Sequence, residues 1–252
     1  MLGTEALLFV AFAMFSAGLV KGLIGLGLPA MSLGLMMLAI DLKQAIVILL
    51  IPLLITNLWQ GLVGGHLLAI IKRLWLLLVS GAVAIWFSVG LMVRTDTAIL
   101  SIALGIILFG YASYSLVMPQ ILLPRRLELK ISPLVGGISG TIAGLTGSLS
   151  VPAVFYIQAL GMGRDALIQA MGIWFCLGSI MLGAALGGRS ALPTDLAIIS
   201  AGAVVPAIIG MELGRRIRHE FSEKLFQKIF FSTILMLGIY ITVRSSIKFS
   251  TL

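Results

Sequence analysis

Thirteen residues combine the types and spacing that can hold a small anion without metal or cofactor. Lys21, Gly22, Gly25, Gly27 and Pro29 form one cluster, and Gly144, Thr146, Gly147, Ser148, Ser150 and Pro152 a second. Asn57 and Gln60 fall between them. Each cluster ends a glycine-rich stretch with a proline: Gly18-Leu-Val-Lys-Gly22-Leu-Ile-Gly25-Leu-Gly27-Leu-Pro29, and Gly140-Thr-Ile-Ala-Gly144-Leu-Thr-Gly147-Ser-Leu-Ser-Val-Pro152. Glycine lets the backbone approach a ligand closely, and proline suits the first turn of a helix, where its missing N–H would be unpaired anyway. The free N–H groups and dipole of a helix start attract anions. Hydroxyls and amides add uncharged donors suited to a small oxyanion, and the ammonium of Lys21 could neutralise it.

Each of these residues also has a plainer reading. Gly18/Gly22 and Gly140/Gly144 are small-xxx-small pairs of the kind that let membrane helices pack closely, although packing alone does not account for the paired prolines. Lys21 lies about 22 Å along a straight helix begun near Ala6, so its side chain either contacts an anion or snorkels to the nearby membrane face. Asn57, Gln60, Thr146 and the further polar residues Thr56, Gln158, Gln169 and Ser179 serve equally as interhelical hydrogen-bond partners. Ser150, preceded by Ser148, stands where a helix cap belongs.

The elements that position these groups are apolar and long. Hydrophobic residues make up 60% of the 252 and charged residues 10%, with a mean hydropathy of +1.17. That balance is foreign to a soluble domain and indicates a polytopic membrane protein. Glu5 is the only charge before Lys21, so the first apolar run reads as structure rather than a secretory leader. The lone Cys176, inside an apolar run, excludes an internal disulfide and a multi-cysteine metal site. The net charge of +8 sits at segment ends, which speaks for the membrane surface and against nucleic acid.

Apolar segments cover roughly 6–20, 29–40, 45–63, 74–93 and 97–118, and then 133–146, 152–162, 166–187, 196–213 and 225–243. Residues 1–118 thus form an N-terminal repeat, 119–131 a basic cytoplasmic linker and 132–252 a C-terminal repeat. Gly18, Gly22 and Gly25 recur 122 positions later as Gly140, Gly144 and Gly147, and Leu38 recurs as Leu160. Gly81 matches Gly202, and Leu104-Gly105-Ile106 matches Leu237-Gly238-Ile239.

Lysine and arginine counts choose between two topologies. If the first two segments of each repeat leave and return to one side, the basic residues divide 11 against 5, with Lys21 unassigned; if they make one crossing together, they divide 8 against 8. The positive-inside rule therefore favours inverted repeats with both termini periplasmic. The second segment of each repeat is short: 29–40 gives about 18 Å of helix against roughly 30 Å of hydrocarbon. The fold expected is all-α, with two inverted five-segment repeats whose first two helices meet at a Gly/Pro break near the midplane.

Other chemistries find no support. No acidic residue lies mid-membrane to relay protons, since Glu212 sits beside Arg215 and Arg216. His66 and His219 are far apart in loops, and no nucleophile or paired-carboxylate grouping suggests an enzyme. No cofactor is expected, and the expected partners are a small anion and the lipid bilayer, with a homodimer left open.

From Gly18 to about Val243 the chain resembles the sulfite exporter TauE/SafE family of small bacterial membrane permeases. The resemblance rests on Gly22-Leu-Ile-Gly25-Leu-Gly27-Leu-Pro29 and Gly144-Leu-Thr-Gly147-Ser-Leu-Ser-Val-Pro152. It implies export of sulfite, thiosulfate, sulfoacetate or related C2 anions across the bacterial inner membrane. The chain departs from the run of consecutive glycines usual in this turn, with Leu28 in the first repeat and Ser148-Leu149-Ser150 in the second. Two rival readings stay open: a passive anion channel, which would use the same donors, and a non-transporting membrane scaffold whose glycines only pack helices.

Overall fold

The computed structural model describes residues 2–118, 122–218 and 222–250. Among these residues the protein is all helix, with ten α-helices. They are α1 (Thr4–Ile24), α2 (Leu28–Met36), α3 (Leu42–Leu62), α4 (Leu67–Arg94), α5 (Thr97–Val117), α6 (Arg125–Thr146), α7 (Ala153–Ala159), α8 (Arg164–Gly187), α9 (Thr194–Ile217) and α10 (Glu223–Ser250). Seven of them, α1, α3, α4, α5, α8, α9 and α10, are long and apolar enough to cross a membrane, so this is a multi-pass membrane protein. The second helix of each half is short, with 9 residues in α2 and 7 in α7.

Part of the expected basic linker is helical, because α6 begins at Arg125. Its first turns are held by a side-chain lock: Arg73 of α4 donates from Nε and Nη2 to the two Glu128 carboxylate oxygens at 2.9 and 2.7 Å. Residues 119–121, at the start of that linker, lie outside the described residues, as does His219.

The helices gather into two compact units that draw on both sides of the linker. Unit one holds residues 1–52, 95–118 and 193–252, and unit two holds 53–94 and 119–192. The boundary within α3 falls after Pro52. Proline lacks the N–H that would bond the Ile48 carbonyl, and Ser200 of α9, fully buried, donates its hydroxyl to that carbonyl at 2.8 Å. The same hydroxyl accepts the Ile51 N–H at 3.1 Å.

In unit one, α1 lies against α9 and α5 against α10, with glycine at each crossing. Gly18 and Gly22 face the carbonyls of Ala207 and Met211, and Gly210 and Gly214 face those of Phe15 and Leu19, so close that a Cβ would overlap them. Gly105 and Gly238, matched by the sequence repeat, meet each other directly. In unit two, α6 lies against α4 by the same device. Gly136 faces the backbone of Leu77, Gly140 that of Gly81, and Gly144 the side chain of Ser88. With no apolar driving force between helices in lipid, such close backbone approach supplies the dispersion contacts that hold them.

Each short helix ends on an arginine. Arg244 of α10 donates to Met37 O and Leu38 O at the end of α2, at 3.3 and 3.1 Å. Arg73 donates to Leu160 O at the end of α7, at 2.9 Å. A guanidinium here satisfies terminal carbonyls and complements the negative end of the helix dipole.

The Arg73 guanidinium also holds the Glu128 carboxyl below the usual glutamate range. A depressed carboxylate pKa adds stability above the unfolded-state value of about 4.3, and that stability is lost as pH falls below it. Arg73→Met should therefore cost about 2 kcal/mol at neutral pH, less than a fully buried pair because the side chains keep 28% and 10% exposure. The difference from the parent should shrink on acidification, and an equal deficit at pH 7 and pH 3.5 in detergent unfolding would refute the ion-pair account.

Candidate functional site

The sequence-predicted residues fall into two groups, one in each unit. In unit one, α1 ends in a left-handed cap at Gly25 (φ 81°), whose N–H bonds Lys21 O at 2.8 Å. The chain then turns at Gly27 (φ 99°), which caps α2, and Pro29 stands in its first turn as expected. Two left-handed positions in three residues explain why glycine occupies both. Gly27 is also pressed against Phe230 of α10, where a Cβ would come within 2.8 Å of ring Cζ. That ring packs edge-on against Phe231 at 4.9 Å and fixes where the turn lies.

Lys21, in the last turn of α1, is only 5% exposed. It therefore does not snorkel, the alternative that a straight helix ending at the membrane face allowed. The helix end is local: α1 is closed off at Gly25, four residues after Lys21.

In unit two, α6 closes at Gly147 (φ 73°), whose N–H bonds Ala143 O at 2.7 Å. Thr146 donates its hydroxyl to Ile142 O at 2.8 Å and accepts the Ser148 N–H at 3.3 Å. Pro152 is the cap residue of α7 rather than its first helical residue. Ser150 supports α7 through its carbonyl, which accepts the Val154 N–H at 3.0 Å, and no side-chain cap bond is made there. Pro152, following Ser150 by two residues, takes the position a serine cap would have needed.

The second break is pinned from α8. Trp174, fully buried, donates its indole N–H to Leu149 O at 2.8 Å. The Leu149 side chain fills the space over Gly178, and Gly81 of α4 makes room for the Trp174 ring. Sequence reading missed Trp174 because a tryptophan in an apolar run looks like core. The available signal was its N–H, which needs a partner once buried.

Ser148 lies buried in this loop. It is 1% exposed, and its hydroxyl has no hydrogen-bond partner among the described residues. A buried hydroxyl left unpaired costs about 1–3 kcal/mol. Ser132, Ser139 and Thr146, spaced by seven on α6, are also buried, and the Ser139 hydroxyl is likewise unpartnered among the described residues. That seven-residue spacing places them along one helix face and was legible in the sequence.

The remaining predicted residues have structural partners. Gly22 and Gly144 face the α1–α9 and α4–α6 crossings. Asn57 donates to Leu53 O in its own helix at 2.7 Å, and Gln60 donates across to Ile168 O at 2.9 Å. Gln169 latches the turn after α3, donating to Gly61 O at 3.0 Å and accepting the His66 N–H at 3.0 Å.

The family model described as sulfite exporter TauE/SafE matches residues 10–241. No curated protein matches the chain, and no solved structure does.

Proposed function

Because this chain belongs to the sulfite exporter TauE/SafE family, and so to a class of anion-exporting membrane transporters, we propose that its cargo is sulfite or a short organosulfonate such as sulfoacetate. It would leave the cell across the bacterial inner membrane, with both protein termini periplasmic and no reaction catalysed on it. Each break offers binding groups of its own: backbone N–H groups of the turn before Pro29 and the ammonium of Lys21 in the first, and backbone N–H groups of the turn before Pro152 with the Ser148 and Ser150 hydroxyls in the second. An oxyanion with three acceptor oxygens suits such a set of fixed donors, and helices that rock between two arrangements would expose them alternately.

The observation that carries this reading is the buried, unpartnered hydroxyl of Ser148 in the second break. Ser148→Ala separates binding from folding. Removing an unpaired buried hydroxyl should leave stability unchanged or raise it. Losing one hydrogen bond to a charged ligand should raise the half-saturation concentration for sulfite flux about tenfold. The assay is flux into proteoliposomes of the full chain, with acetate for comparison and empty liposomes as control. Saturable, counterflow-competent sulfite or sulfonate flux supports a transporter; flux without counterflow indicates a channel. Acetate flux alone discards the sulfur assignment, and an unaltered Ser148→Ala half-saturation removes the break from the site.

A further inference from the structure

At the end of α4, Trp86, Gly90 and Arg94 follow one another at intervals of four and so share one helix face. Arg189, just after α8, is laid across that face. Its Nη2 donates to Trp86 O at 2.8 Å, its Nη1 to Ala185 O at 2.9 Å, and its guanidinium carbon stands 5.2 Å from the Trp86 ring centroid. Gly90 makes this possible, since a Cβ there would come within 3.2 Å of the Arg189 Nε. The result is a groove of about 600 Å³ lined by Phe87, Gly90, Leu91, Val93, Arg94 and Arg189.

The lining holds two guanidinium groups and no carboxylate. Arg189 is bonded to carbonyl oxygens, which orient it without cancelling its charge. Arg94 makes no ion pair among the described residues. Two like charges at one groove repel unless an anion lies between them. The apolar side of the same groove is open, with Phe87 71% and Leu91 58% exposed on a helix that crosses the membrane. Arginines at a helix end beside exposed apolar side chains suit a ligand with a charged head and a hydrocarbon tail.

We propose that this groove binds an anionic phospholipid, the phosphodiester resting between Arg94 and Arg189 and the acyl chains running along Phe87 and Leu91. A guanidinium matches phosphate oxygens in pairs, which gives the head geometry as well as attraction. The inference needs only the membrane location of α4 and stands or falls apart from the transport reading.

The test is native mass spectrometry of the full chain in detergent doped with phosphatidylglycerol or phosphatidylcholine, with R94Q and R189Q as variants. The parent should retain phosphatidylglycerol at least fivefold over phosphatidylcholine. Each variant should lower that preference about fivefold, the worth of one basic side chain at an anionic surface. R94Q removes no hydrogen bond made among the described residues, so it decides the question even if R189Q does not fold. Equal retention of both lipids, or an R94Q preference equal to the parent's, overturns the proposal. So does displacement of phosphatidylglycerol by millimolar inorganic phosphate, which would make this a site for soluble anions.

Discussion

Alanine at Gly140 is expected to destabilise the protein by about 3 kcal/mol, whereas alanine at Gly137, on the same helix, leaves stability unchanged or raises it by up to about 1 kcal/mol. The two substitutions add the same methyl group and the same helix propensity. They differ in what the methyl meets. At Gly137 nothing lies within 4 Å. At Gly140 the new carbon would overlap the Gly81 carbonyl and come within 2.8 Å of Ala84 Cβ and 2.9 Å of Gly81 Cα. These are backbone atoms or atoms attached directly to it, so no rotamer change relieves the overlap and α4 and α6 must separate. Gly202 and Gly210 offer the same contrast on α9, since Gly202 has nothing within 4 Å and Gly210 faces the Phe15 carbonyl. Unfolding in detergent, followed by circular dichroism, reads both pairs. Equal effects within a pair would show that the helices do not approach as described.

That contrast also marks where the sequence stops being informative. The sequence pairs Gly140 with Gly144 and leaves Gly137 unpaired, but it sets Gly81 and Gly202 as equivalent repeat positions. Yet Gly81 receives the Trp174 ring while Gly202 has open space. A small-xxx-small pair announces a close crossing without naming its partner. Gly18 meets Ala207 across most of the chain length, and no local pattern says so. For the same reason the compact units, which take helices from both sides of the 119–131 segment, were not visible in hydropathy. What was legible is what local physics sets: ten apolar segments, two short ones, and a helix end at each glycine-proline stretch. The start of α6 escaped because its first turns are basic, so they fail a hydropathy criterion while remaining good helix. Within the site, the left-handed positions at Gly25, Gly27 and Gly147 suit glycine, but residue type alone does not separate them from the helical Gly18, Gly22, Gly140 and Gly144. Gln60 donates to Ile168 O and Gly144 lies against Ser88, partners distant in sequence that no local pattern names.

Phenylalanine at Trp174 is expected to lower saturable anion flux at least tenfold while the protein still folds, although the residue touches none of the proposed anion ligands except through the loop it holds. The indole N–H is the bond that fixes Leu149 O, and Leu149 follows directly on Ser148. Phenylalanine withdraws the Cη2 and Cζ3 edge of the indole from Gly81, leaving a small gap there. It also removes the donor, leaving a buried carbonyl short of its partner at a cost of about 1–3 kcal/mol. The loop can recover part of that only by turning Leu149 O elsewhere, and this turns Ser148 with it. A binding group displaced by about 1 Å no longer matches its ligand, so the loss should appear in transport more than in stability. Trp75→Phe is the control, because that ring is 50% exposed on α4 and its loss should alter neither quantity. Comparison with Ser148→Ala then separates two kinds of defect. The serine variant should weaken apparent affinity and leave the maximal rate near the parent value, whereas a mobile loop should reduce both. If Trp174→Phe transports as the parent does, the second break is positioned without the indole bond, and the Leu149 contact over Gly178 must hold Ser148 by itself.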